Sequence, residues 1–147
     1  HNNKLTGFDV RHDNTNGLTQ PGDFETVQGP TTVTVSTTID TYGTAVDFEP
    51  QDGWMFIGRP WFFGETQNMG SETVTVELSA TYRAEDTREE TVTFTSNGEK
   101  KALFDDEAWV TYFAKTTEPV IKYSFRVKSS IGSSTAQLRI WGWLVER

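Results

Sequence analysis

The sequence lacks cysteine and long hydrophobic segments, and it carries far more acidic than basic residues. Without cysteine, disulfides, zinc–thiolate sites and cysteine nucleophiles are all excluded. No apolar run approaches the roughly 18 residues of a membrane-spanning helix, so no membrane span is predicted. A net charge of -8 leaves no basic field to displace phosphate counterions, which argues against a nucleic-acid partner.

Catalytic and cofactor motifs are also absent. The sequence has no glycine-rich phosphate loop, no nucleophile elbow and no Ser/His/Asp set with a plausible histidine. An N-terminal histidine can chelate copper through its amine and its ring, but His12 is the only second histidine to complete a site at His1. We therefore predict no enzyme and no cofactor. A small glycan-active enzyme with two carboxylates across a cleft is the alternative.

What the sequence does contain is alternation of apolar and polar residues over short segments rich in Thr, Val, Phe and Trp. This period of two is typical of strands, and no segment predicts a helix. The chain length suits one domain. We predict one antiparallel β-sandwich or jelly roll over residues 1–147, with about eight to ten strands. Residues 1–30 are predicted to form a partly extended N-terminal segment.

The last strand, "QLRIWGWLVER" (137–147), is apolar on both faces. Alternation places Leu138, Ile140 and Leu144 inward, and it places Trp141, Trp143 and Val145 outward. We expect this strand to form a hairpin with "PVIKYSFRVKS" (119–129), in which Ile121, Tyr123, Phe125 and Val127 face the core. Phe125 would oppose Leu138, because the alternative register buries Arg139.

This register predicts an outer face on which Trp141 and Trp143 lie beside Lys122 and Arg139. Three explanations for the exposed tryptophans stay open: a loop of the same chain covers them, a second subunit covers them, or a sugar ring stacks on them. Val145 belongs to the same candidate surface.

Two further clusters are candidate sites. "GWMFIGRPWFFGE" (53–65) is either a core strand with an edge or bulge at Pro60, or a loop that presents Arg59, Trp61 and Phe63 to a ligand. Three adjacent acids could contribute to a weak calcium site, but consecutive acids do not match the spaced ligands of a calcium loop, so the sequence favours a solvated acidic turn. These acids are Asp105, Asp106 and Glu107.

From these features we expect a non-catalytic structural protein, located extracellularly or on a virion surface. It would self-associate or bind other structural subunits in a capsid, a virion decoration or an extracellular filament. An N-terminal segment such as "KLTGFDV" (4–10) could add a strand to a neighbouring subunit. The alternative is a carbohydrate-binding module whose exposed tryptophans bind glycans.

Overall fold

The computed structural model describes residues 24–82, 87–103 and 120–146, which form eight β-strands. The strands are β1 (Phe24–Thr34), β2 (Val46–Phe48), β3 (Phe56–Gln67), β4 (Val74–Tyr82), β5 (Thr87–Phe94), β6 (Lys100–Leu103), β7 (Val120–Ser129) and β8 (Gln137–Glu146). This described part of the chain contains no helix, and hence none long and apolar enough to cross a membrane. The predicted all-β class is confirmed.

The strands form two antiparallel four-stranded sheets. The front sheet has the order β1-β8-β3-β6, and the back sheet has the order β2-β7-β4-β5. One residue pair, Phe56 with Val120, joins β3 to β7 across the sandwich. The pairs β1–β8, β2–β7, β3–β6 and β4–β5 are nested, as in a single long hairpin folded over into two layers. The predicted β-sandwich is therefore confirmed.

Strand β4 shows how the sequence produces this architecture. Every second residue of β4 is buried, and the residues between them are half-buried on the outer face. Each buried Val or Leu side chain contributes roughly 1.5–3 kcal/mol to stability. Because of this alternation, β4 packs against the core through one of its two faces. The buried residues are Val74, Val76, Leu78, Ala80 and Tyr82.

Aromatic rings fill the centre of the core. The ring centroid of Phe62 lies 4.9 Å from that of Phe125 and 5.0 Å from that of Tyr123, both in edge-to-face geometry. Phe48 packs 5.9 Å from Phe62 on another side. Gly142 of β8 faces these rings, and a Cβ atom built on it would lie only 2.8 Å from the Phe62 ring. The glycine therefore leaves the space that Phe48 and Phe62 occupy.

The predicted hairpin between β7 and β8 is wrong. Strand β7 pairs with β2 and β4, whereas β8 pairs with β1 and β3, so the two strands lie in opposite sheets. Their inward residues are assigned correctly, because Tyr123, Phe125, Leu138 and Ile140 are all fully buried. Alternation determines which face of a strand is buried, but it does not determine which strand lies beside it.

Ile121 was also expected in the core, and the structure corrects this. The β4–β7 register shifts between Thr81 and Tyr82, and this irregularity pairs Tyr82 with Val120. Because a shift of one residue exchanges the two faces of a strand, Val120 is 3% exposed and Ile121 is 37% exposed.

Other boundaries differ from the sequence expectation. Strand β1 starts at Phe24, inside the N-terminal segment of residues 1–30 that was expected to be partly extended. Strand β3 continues through Pro60, where its pairing with β8 shifts register between Ile57 and Trp61, in agreement with the predicted bulge. Strand β6 was not predicted. Strands are also predicted from the sequence in "LTGFDV" (5–10) and "AWVTYFAK" (108–115). Both segments lie outside the described residues, as does the segment proposed for strand addition (4–10).

Candidate functional site

The two aromatic segments of the sequence meet on the outer surface of the front sheet. Strands β3 and β8 pair so that Trp61 lies opposite Trp143 and Phe63 lies opposite Trp141. The ring centroids are 4.8 Å apart in the first pair and 5.9 Å apart in the second, and both pairs are tilted. Such pairs contribute about 0.5–1.5 kcal/mol beyond the area that they bury. We call these four residues the aromatic face.

The four rings are not equally accessible. Trp143 is 2% exposed, so its own chain covers it although it projects from the outer side of β8. Trp61, Phe63 and Trp141 are half-buried, and so is the neighbouring Val145. Of the three explanations for the outward tryptophans, burial by the same chain therefore applies to Trp143. Trp141 keeps surface that a partner could bury.

Charged side chains border the aromatic face at one end. The Arg139 guanidinium lies 5.2 Å from the centroid of the Trp141 ring, and Glu65 pairs opposite Arg139 on β3. The Glu65 carboxylate is also 3.9 Å from Nζ of Lys100. Exposed cation–π contacts contribute about 0.5–1 kcal/mol, and exposed ion pairs contribute less than that. These contacts therefore add little to the stability of the fold, but they fix the positions of the charged side chains at the edge of the aromatic face.

Lys122 does not belong to this surface, and the predicted contact between Lys122 and Trp141 is wrong. Lys122 lies on β7 opposite Thr81 of β4, in the back sheet. Packed sheets are about 10 Å apart, and their outer faces point in opposite directions. The error follows directly from the hairpin that β7 and β8 were expected to form.

The remaining candidates are placed only in part. Arg59 lies in β3, and its side chain is outside the described part of the structure. The three acids of the weak calcium candidate, Asp105, Asp106 and Glu107, also lie outside it, so that site stays a prediction. Within the ranges that are described, no group of three or more His, Cys, Asp or Glu residues could hold a metal ion.

The outer surface of the back sheet has a different character. Arg126 donates a hydrogen bond of 2.6 Å to Glu77, and Ser124 donates one of 2.7 Å to Asp47. The bond to Glu77 is the main reason that the pKa of Arg126 is raised. Among the residues whose side chains are described, no strand position on this surface is aromatic. The described outward positions are Asp47, Thr75, Glu77, Ser79, Thr81, Glu89, Thr91, Thr93, Lys122, Ser124, Arg126 and Lys128, together with the exposed Ile121.

A buried carboxylate that sequence analysis missed connects the loops at one end of the sandwich. Glu72 is 4% exposed and accepts hydrogen bonds from the Ser134 hydroxyl at 2.6 Å and from the Gly70 amide at 2.7 Å. The Ser134 hydroxyl in turn accepts a bond from the Ala136 amide. The bond from Ser134 lowers the pKa of Glu72 more than any other interaction does. This network joins the β3–β4 connection to the β7–β8 connection and does not involve the aromatic face.

The aromatic face offers four rings and is bordered by the Arg139 guanidinium and the Glu65 carboxylate, and among its described side chains no pair is arranged for nucleophilic or acid–base chemistry. Such a surface is suited to binding. Comparison of the chain with protein-family models, with curated proteins and with solved structures found no significant match.

Proposed function

We propose that this protein is a non-catalytic, self-associating structural subunit of a virion or of an extracellular filament, and that the aromatic face is its subunit interface. One observation carries the proposal. The outer surface of the front sheet presents two pairs of aromatic rings, whereas the described strand positions on the outer surface of the back sheet carry no aromatic ring and, apart from the exposed Ile121, are polar or charged.

The physical argument concerns surface that water solvates poorly. Trp61, Phe63 and Trp141 each retain exposed ring area, and Arg139 lies beside them. Protein interfaces are enriched in Trp, Phe and Arg near their centres, where the rings become fully desolvated. Burial of these rings against another subunit would extend the packing that already covers Trp143.

The strand order supports the same proposal at the level of the fold. Eight strands in four nested antiparallel pairs are the arrangement expected of a jelly roll, and we infer that the sandwich belongs to this class. Jelly rolls occur in viral capsids, but they also occur in lectins. The fold is therefore compatible with both a virion subunit and a glycan-binding protein, and the surface must distinguish between them.

Sedimentation velocity of the full chain tests the proposal. We expect species larger than the 16.6 kDa monomer, and we expect Trp141→Ser to shift them toward the monomer while the protein stays folded, with a melting temperature lowered by about 1–6 °C for the lost ring contact with Phe63. Thr91→Ser, on the outer surface of the back sheet, is the matched control. A wild-type protein that stays monomeric at high concentration contradicts the proposal, as does a Trp141→Ser variant that assembles normally.

A carbohydrate-binding module is the second candidate, because half-buried rings of Phe63 and Trp141 lie beside the polar side chains of Arg139 and Glu65. A sugar could stack on the rings while its hydroxyls bind those side chains. Titration of soluble oligosaccharides, followed by tryptophan fluorescence, distinguishes the two candidates. A saturable spectral change in a monomeric protein, lost in Trp141→Ser, favours the module.

A further inference from the structure

A groove of about 630 Å³ lies between the end of β1 and the start of β2, and one of its lining residues, Thr32, pairs with Arg139 at the border of the aromatic face. Its volume falls in the range of roughly 300–1,000 Å³ that is usual for small-molecule sites. Five of its eight lining residues carry a hydroxyl group, and none is charged. The remaining three, Val35, Gly43 and Val46, are apolar.

The wall of the groove depends on Gly43. A Cβ atom on Gly43 would lie 2.4 Å from the carbonyl oxygen of Thr34, closer than such atoms approach, so only glycine allows this contact. The Gly43 amide also donates a hydrogen bond of 2.9 Å to the carbonyl of Val127 in β7. Contacts to both sheets therefore hold residues 42–46 in place, and the groove exists before any ligand arrives.

Tyr42 provides one aromatic wall, and its ring is held in position. The Arg126 guanidinium lies 4.4 Å and the Lys128 ammonium 5.1 Å from the ring centroid. Arg126 is itself fixed by its hydrogen bond to Glu77. A ring that is already oriented loses little conformational entropy when a ligand stacks on it.

The hydroxyl groups around the ring are available to a ligand. Thr32, Thr34 and Thr44 are exposed, and their side chains make no hydrogen bond to any other residue of the described ranges. Ser36 accepts a bond from the Thr38 amide. Hydroxyl groups both donate and accept, so they pair with hydroxyls of a ligand in either direction.

We propose that this groove is a binding site for a neutral carbohydrate. An aromatic wall with apolar surface beside it receives the C–H face of a sugar ring, and the threonine hydroxyls bind the sugar hydroxyls. No lining residue is charged. Of the two cations on the Tyr42 ring, Arg126 is already bonded to Glu77, and Lys128 lies 5.1 Å from the ring centroid. The lining therefore favours a neutral ligand over an anionic one. A wholly apolar ligand would leave the hydroxyl groups unpaired. This site is separate from the aromatic rings of the proposed subunit interface, although Thr32 pairs with Arg139 at the border of that interface.

Nuclear magnetic resonance titration of the full-length ¹⁵N-labelled chain tests the proposal, with maltose, cellobiose, lactose and chitobiose as probes. We expect at least one disaccharide to shift the backbone amides of residues 32–36 and 42–46 in a saturable manner. Tyr42→Phe should preserve the affinity. Tyr42→Leu should weaken it by more than about 10-fold, and Thr34→Val by about 3- to 10-fold, the effect of one hydrogen bond.

The matched control is Thr91→Val on β5, which should leave the affinity unchanged, and thermal unfolding verifies that each variant is folded. Three results overturn the proposal: no saturable shift up to 50 mM (roughly the weakest affinity of interest), shifts centred on the indole groups of Trp61 and Trp141, or equal affinity in Tyr42→Leu. Sedimentation of the same samples reports on subunit assembly separately, so failure of one proposal does not imply failure of the other.

Discussion

Gly142 separates Trp141 from Trp143 in β8, and its replacement by alanine should destabilise the protein. The residue faces the core, where an added Cβ atom would lie 2.8 Å from Cε1 of Phe62 and 2.9 Å from Cε2 of Phe48. Carbon atoms do not pack at these distances, so the rings or the strand must move. Overpacking of this kind costs about 1–3 kcal/mol.

Thermal and urea unfolding measure the effect. For a chain of this size, each kcal/mol corresponds to roughly 2–4 °C, so Gly142→Ala should lower the melting temperature by about 2–12 °C. Gly132→Ala is the matched control, because its Cβ atom would be 3.6 Å from the nearest atom, the carbonyl oxygen of Thr37, which is an ordinary contact. We expect that variant to remain within about 0.5 kcal/mol of the wild type.

A double variant tests whether the clash is the cause. Phe48→Leu removes ring atoms that the new methyl group would meet, so Gly142→Ala should cost less in the Phe48→Leu background than in the wild type. If the destabilisations of Gly142→Ala and Phe48→Leu simply added, the added methyl group would be shown not to clash with the Phe48 ring. A Gly142→Ala variant as stable as the wild type would refute the reasoning altogether.

Two further predictions concern charged groups. The pKa of Glu72 is lowered below its ordinary value of 4.5, mainly by the hydrogen bond from Ser134, so ionised Glu72 stabilises the fold above that pH and loses this effect as the pH falls through the lowered pKa. Glu72→Gln should therefore reduce the free energy of unfolding by about 1–3 kcal/mol at pH 7 in urea titrations. The difference should shrink at pH 3, and a constant difference would contradict the assignment. Glu77→Gln, which removes the exposed pair with Arg126, should cost less than about 1 kcal/mol and still less in 1 M NaCl; a larger, salt-independent loss would contradict this.

Alternation in the sequence was sufficient to assign the faces of most strands. Val74 and Tyr82 mark the two ends of the buried face of β4, and Leu138 and Ile140 are buried as predicted. These assignments succeed because side chains of a strand alternate between its two faces, whatever strand lies beside it. The outward direction of Trp141 could be predicted for the same reason.

Strand neighbours could not be predicted in this way. The connection after β7 does not turn back as a tight hairpin, because Ser130 donates a backbone hydrogen bond to Thr73 and Ser133 donates one to Thr37. These bonds hold residues 130–136 across the ends of both sheets. The chain therefore crosses from the back sheet, which contains β7, to the front sheet, which contains β8. No local signal in "SIGSS" (130–134) reports contacts to such distant residues.

The candidate site depends on the same missing information. Trp61 and Trp143 were identified as members of two separate aromatic segments, and only the pairing of β3 with β8 brings them to one surface. The difference between the covered Trp143 and the half-buried Trp141 likewise could not be predicted, because both occupy outward positions of one strand. Lys122 was misplaced because an incorrect neighbour produces an incorrect surface even when the face is correct.

Strand β8 therefore serves the core and the outer surface with different residues. On the core side, Gly142 leaves no room for a side chain beside Phe62 and Phe48. On the outer side, Trp141 and Trp143 pack against aromatic residues of β3. Because the two sets point in opposite directions, changes on one side should leave the other largely intact. Gly142→Ala should lower stability without abolishing assembly of the folded protein, whereas Trp141→Ser should shift the protein toward the monomer and lose only about 0.5–1.5 kcal/mol with its ring contact to Phe63. If both changes affected both properties equally, the outer rings would be part of the packing of the domain, and the proposed subunit interface would have to lie elsewhere.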